Sequence, residues 1–302
     1  MEGSTRVVGA LGLGVLAVAS AATVILLAAP LPPLHIAGGR VTVTALVFVL
    51  LGRGELRSLL EAIRDRPALG WRTLAAGTLL AVHFGAWIAS LGLTTVLRSM
   101  ALVALQPVFA GLLGRLLGDR VSPWLYVGAA VSFAGCVVLV GGSAALEGGT
   151  LGGDALALLG GASAAAYLAF GRSVRSSVPL PAYLGGVHAV AALLLLPTAW
   201  VLQPIGDGVP AGSWLAVLYL GLVPGVIGHG LFNWVVRRVP VDRVALAILL
   251  EPAAATLLAW AVLNRMVTGL EVLGATIVLL GVGVGSLGAR RGRSEPTPAS
   301  EL

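Results

Sequence analysis

Charge is the scarcest property of this sequence. Only 11% of its 302 residues are charged, against roughly 25% in ordinary soluble domains. That shortage excludes a conventional soluble fold. Lysine is absent and all 19 basic residues are arginine, a bias shared with the heavy use of Ala, Gly, Leu and Val. The single cysteine, Cys136, excludes an internal disulfide and a cysteine-cluster metal site. No Walker sequence is present, which argues against direct ATP drive. The G-x-G within "GALGLGV" lies in an apolar run with no strand before it, so it is no nucleotide loop. No cofactor is expected, and the three in-span histidines His83, His188 and His229 lack metal-ligand spacing within one helix, so no metal is expected either.

What the sequence has instead is apolar length. Hydrophobic residues make up 58% of the chain, with a mean hydropathy of +0.98. Val7 to Ala29 carries no charge, longer than the ~20 residues a helix needs to cross ~30 Å of hydrocarbon. A signal peptide has a shorter apolar core, so this block reads as a retained first helix. Ten such blocks follow one another, at 7–28, 34–51, 73–92, 98–117, 123–142, 154–171, 181–202, 213–236, 243–263 and 269–288. Their length predicts helices, because barrel strands need only ~10 residues of alternating polarity. The expected class is an all-α membrane protein with ten transmembrane helices.

The arginines orient those helices. With a cytoplasmic N-terminus, 16 arginines fall on the inner side and only Arg98 and Arg265 on the outer, with Arg40 inside a span. This obeys the positive-inside rule and accounts for the net charge of +6 without nucleic acid. Both termini are then cytoplasmic, and 290–302 reads as a basic stop and a disordered tail. In "ELRSLLEAIRDRP", Leu56, Leu59, Leu60 and Ile63 recur at helical spacing, as in a helix lying on the inner membrane surface.

A repeat runs through the chain. "ALVALQPVFAGLLGRLLGDRVSPWLYVGAAVSFAG" aligns with "ALAILLEPAAATLLAWAVLNRMVTGLEVLGATIVLLG". Gln106-Pro107 falls opposite Glu251-Pro252, and Gly128, Gly135 and Gly142 opposite Gly274, Gly281 and Gly288. His83 matches His229, and Arg98 matches Arg243. Each copy holds five spans. Five is odd, so the second copy enters the membrane inverted, as in transporters whose substrate site lies near the midplane between two halves. The units are expected at 1–145 and 150–289. Glycines seven apart share a helix face, which predicts close helix packing in lipid.

These stretches resemble the ends of two EamA-type domains of the drug/metabolite transporter superfamily. Arg40 in "LHIAGGRVTV" resembles an arginine often found in the second helix. The resemblance covers nearly the whole chain. It implies two inverted five-helix halves around a central cavity lined mainly by helices 1, 3, 4, 6, 8 and 9, and export of small metabolites such as amino acids or related compounds. Where the family usually has glutamate in the turns after helices 4 and 9, this chain has Asp119 and Arg265.

The polar residues inside spans are the candidate site. Glu251 lies about eight residues into helix 9, roughly 12 Å deep. Such an acid is a functional candidate by default; it can bind a proton, hold a substrate cation, or pair structurally with a histidine or Arg40. Pro252 frees a carbonyl near Ala247 or Ile248, and Pro107, its repeat mate, is read with it as a structural or gating residue. Gln106, the mate of Glu251, serves either the cavity or an interhelical hydrogen bond. Arg40 is read as a structural anchor or gating residue, close enough to the outer end to snorkel. His83 and His229 suit a relay or ligand role. Trp87, Tyr167, Asn233 and Trp234 suit an aromatic cavity wall. The expected function is a secondary transporter of small molecules in a bacterial inner membrane, monomeric or homodimeric, driven by substrate gradient, exchange or protons. An intramembrane enzyme would need a catalytic motif around Ser90, Ser99, Ser132 or Ser163, and none is recognisable; a non-transporting scaffold would not need the inverted repeat.

Overall fold

A computed structural model describes residues 2–116, 121–139, 149–175, 177–239, 241–263 and 268–291. Asp119, Arg265, Gly142 and the tail beyond 291 lie outside the described residues. Every element in the described residues is helical. In chain order these are α1 (Glu2–Ala19), α2 (Ala21–Leu27), α3 (Pro33–Leu51), α4 (Leu56–Asp65), α5 (Pro67–Ser90), α6 (Val96–Val103), α7 (Gln106–Leu116) and α8 (Pro123–Leu139). Then come α9 (Leu151–Arg175), α10 (Leu180–Leu202), α11 (Ala211–Leu220), a π-helical segment (Gly221–His229), α12 (Gly230–Val236), α13 (Val241–Ile248), α14 (Glu251–Leu263) and α15 (Gly269–Arg291).

Eight helices among the described residues are long and apolar enough to cross a membrane, and Pro123–Leu139 is a shorter apolar helix. The outward faces are apolar: Leu50, Leu193, Trp200, Val201, Leu215 and Leu280 are all exposed. A surface of that kind is stable against lipid, where helices satisfy their own backbone hydrogen bonds. The chain is a multi-pass membrane protein.

The departures from ten uninterrupted spans have local causes. The fourth expected span is two helices, α6 and α7, and the ninth is α13 and α14, too short singly to cross. In each case a proline stands second in the following helix, Pro107 or Pro252. Proline has no N–H for the carbonyl four residues back, which is that of Val103 or Ile248. Ala247 is not the orphan, because its carbonyl accepts from Leu250 N–H at 3.1 Å. The eighth span winds as a π-helix over nine residues around Pro224, a form that concentrates at functional sites. The first bends at Ser20, whose Oγ donates to the Ala17 carbonyl at 2.8 Å. The surface helix α4 folds back on α5, burying Leu59 and leaving Leu60 exposed.

The most extensive helix packing joins α8 with α15, α5 with α9 and α3 with α10, and the first and last of these pair repeat-related helices. In α8 and α15, a Cβ placed on Gly128 would meet the Gly281 carbonyl at 2.5 Å, and one on Gly135 would meet Val278 N at 2.6 Å and the Gly274 carbonyl at 2.9 Å. Ser132 Oγ donates across to the Val278 carbonyl at 3.2 Å. The approach of Gly128 to Gly281 becomes that of Gly274 to Gly135 when residue numbers are shifted by the repeat offset. In α3 and α10, Gly38 meets Leu196 while Gly185 meets Val49, a pair that interchanges under a shift one residue longer. The contacts therefore follow the sequence repeat as an approximate two-fold.

Candidate functional site

Both helix breaks open on one cavity. Its wall takes Arg40 from α3, His83, Phe84 and Trp87 from α5, Gln106 from α7, Tyr167 from α9, His229 and Phe232 from either side of the π segment's end, and Glu251 with Pro252 from α14. Val18 of α1, and Val103 and Ile248, whose carbonyls the prolines orphan, also line it. Its volume is about 60 Å³, several times the ~10–15 Å³ that one water requires. The cavity thus has room for more than one water between elements of both sequence copies.

His229 is the hub of the aromatic wall. Its ring centroid lies 5.2 Å from Phe84 in an edge-on arrangement, 6.4 Å from Tyr167 and 6.5 Å from His83. His83 stacks on Trp87 at 6.0 Å. The His83 Nδ1 lies 2.9 Å from the Gly160 carbonyl; a carbonyl only accepts, so Nδ1 carries the hydrogen. In the neutral ring Nε2 is then an acceptor. His188 stands near this group, 6.5 Å from His229, with Nδ1 donating to its own helix at Leu184.

Not every candidate reaches the cavity. Asn233 lies one layer behind, donating Nδ2 to the Tyr167 hydroxyl at 2.6 Å and to the His229 carbonyl at 2.9 Å; it positions the wall. Trp234 is absent from the lining and packs against the core under Arg238, whose Cζ lies 3.5 Å from its ring centroid, so the expected place of Trp234 in the cavity wall does not match its position. Pro107 is buried beside Gln106 outside the lining. Arg40 does not snorkel outward. It is 1% exposed, with Cζ 4.1 Å over the Phe84 ring. The sequence reading does not single out Phe84 or Phe232; the signal for Phe84 is its place beside His83 and three residues before Trp87 on one helix face.

Three of the four serines that an intramembrane hydrolase would use are engaged elsewhere. Ser90 and Ser99 bond each other at 2.7 Å, and Ser132 holds α8 to α15.

The two copies are tied to each other at the start of α6. Arg98 of α6 pairs with Asp154 of α9 at 2.5 Å, Thr94 Oγ1 donates to the same carboxylate at 3.1 Å, and Thr150 N–H donates to the Leu93 carbonyl at 2.9 Å. At the repeat-related Arg243, no ion pair occurs among the described residues. Met100, two residues beyond Arg98, lines the cavity, so a latch at this pair is testable by access to Met100. In a Cys136→Ser background, labelling of Met100→Cys by a small thiol reagent should speed up by about threefold or more when Asp154→Asn is added. An unchanged rate would show that the pair is no latch.

Comparison with known proteins agrees with this architecture. A solved crystal structure superposes with a TM-score of 0.75 at 22% identity, over 96% of this chain and 99% of the other, which establishes the fold. A probable amino-acid metabolite efflux pump of Escherichia coli is 27% identical over 274 residues, 86% of this chain and 87% of that one. An uncharacterized transporter of Archaeoglobus fulgidus is 26% identical over 253 residues, 82% of this chain and 87% of that one. The sequence profile of the EamA-like transporter family matches residues 7–141 and 151–286. With nearly the whole chain matched in two successive copies, this membrane protein belongs to the EamA-like transporter family.

Proposed function

We propose that this transporter exports small amphiphilic metabolites that carry a cationic group, amino acids among them, from the cytoplasm of a bacterium. The arginine asymmetry supports ten spans with both termini cytoplasmic, and the interchanging glycine contacts support two inverted five-helix units, 1–145 and 150–289. Transport is by alternating access: the two units rock about the cavity, and the Arg98–Asp154 tie holds its outer end closed.

The observation that carries this reading is the convergence of two broken helices on one cavity, with an acid, Glu251, at one break and an amide, Gln106, at the other. A carboxylate at that depth is costly unless a cation or a proton accompanies it. Glu251 receives the substrate's cationic group in the loaded state and a proton in the empty one, so substrate leaves in exchange for protons. The named activity of the Escherichia coli relative lends weight to amino-acid substrates.

The test is efflux from proteoliposomes loaded with radiolabelled amino acids and simple amines. Efflux above that of protein-free vesicles, accelerated by an inward proton gradient and slowed by a protonophore, is the expected result. Efflux no faster than from empty vesicles across the panel would sink the reading; efflux indifferent to the proton gradient would remove the coupling alone.

A further inference from the structure

Three arginines near or within the helices differ in what their guanidinium groups do. Arg98 pairs with Asp154. Arg175, 3% exposed, donates Nη1 to the Val178 carbonyl. Arg40 is more deeply buried than either, and neither its Nη1 nor its Nη2 has a hydrogen-bond partner. Its neighbour is the Phe84 ring, 4.1 Å from Cζ; a cation–π contact of this kind stabilises the charge but accepts none of the edge donors. An arginine serving only to pin helices would direct its terminal donors to carbonyls or an acid, as Arg98 does and as Arg175 does through Nη1, although Arg175 Nε has no partner.

Arg40 is not alone in the wall. Trp87 Nε1 is also buried without a partner. Among the described residues, the fully buried unpartnered side-chain atoms of the cavity wall are donors, two from Arg40 and one from Trp87. The acid in the wall, Glu251, forms no ion pair with Arg40 within 4.0 Å. The cavity thus presents an unsatisfied cationic fork and, separately, a carboxylate.

We propose that Arg40 is the carboxylate-binding group of this cavity, so that the preferred substrates are zwitterions held by their carboxylate on Arg40 and by their cationic group on Glu251. A planar guanidinium matches a carboxylate with two parallel hydrogen bonds, a fit that lysine does not reproduce. The aromatic wall around His229 takes the substrate's apolar part. This inference rests on the transport reading above and narrows it from amines in general to amino acids.

The test compares matched pairs: L-leucine, L-phenylalanine and L-threonine, each against its own carboxamide. The pair differs in the carboxylate and keeps the ammonium and side chain. In wild-type proteoliposomes the free acids that are transported should be favoured over their amides by about tenfold or more. Arg40→Gln should collapse that preference, and Arg40→Lys should restore it only in part. Amides transported as well as acids by the wild type would overturn the carboxylate site and leave the transporter reading intact. So would an Arg40→Gln protein that folds, by its gel-filtration profile, and keeps the full preference. Because the wild-type comparison needs no variant, a misfolded Arg40→Gln does not spare the proposal. Absence of flux for every acid and amide would overturn both readings.

Discussion

Glu251→Gln is expected to lower substrate efflux by about two orders of magnitude while the protein still folds. Removing one partner of a desolvated charge pair costs roughly 2–5 kcal/mol, and each ~1.4 kcal/mol is tenfold. Glutamine keeps the shape of the side chain, and Glu251 makes no ion pair that folding would lose among the described residues. The loss should therefore appear in flux and not in the melting temperature. The repeat supplies a sharper version. Gln106 occupies the corresponding break and lines the same cavity, so Gln106→Glu added to Glu251→Gln returns an acid from the opposite side. Recovery of about tenfold or more over the single variant is expected. Normal efflux in Glu251→Gln would reduce the acid to a structural part and sink the exchange mechanism, without touching family membership.

The second large effect is on stability. Gly128→Val is expected to destabilise the protein by about 2–3 kcal/mol or more, since overpacking a close interface typically costs ~1–3 kcal/mol. The obstacle is backbone: the added Cβ would stand 2.5 Å from the Gly281 carbonyl and 2.6 Å from Gly285 N. No rotamer relieves a clash with main chain, so α8 and α15 must separate along the face that holds them together. In lipid that face has no hydrophobic force to restore it, because packing itself drives association. Gly135→Val should behave alike, with Val278 N at 2.6 Å. Gly283→Val is the internal control, on α15 with nothing within 4 Å of its Cβ. Thermal melting in detergent should show a fall of at least about 4 °C for the first two and little change for the third. Equal effects at all three positions would mean that valine in a helix, and not the contact, is responsible.

Much of the fold was legible in the chain because its causes are local. Apolar length implied helices in a membrane, the seven-residue glycine spacing implied close-packed faces, and the alignment of Gln106-Pro107 with Glu251-Pro252 placed two irregularities in register. Proline's missing N–H acts within one turn, so a break near those residues could be foreseen, although its sharpness and the choice of Ile248 over Ala247 could not. The π winding of Gly221–His229 was hidden, since Pro224 signals only a disturbance and the surrounding helices decide how it is absorbed.

The site divides along a different line. The sequence by itself determined that polar side chains stand inside apolar spans and that two of them, Gln106 and Glu251, are repeat mates. Only the tertiary structure decided which of those side chains share a cavity. Successive residues on a helix point about 100° apart, at 3.6 residues per turn, so Phe232 faces the cavity, Asn233 stands behind its wall and Trp234 lies under Arg238. Arg40 gave no sign of its direction either. Whether it snorkels or turns inward depends on the Phe84 face that α5 brings to it. Residue type and spacing are properties of one segment, whereas the direction a side chain faces is settled by the neighbours that bury the rest of its helix.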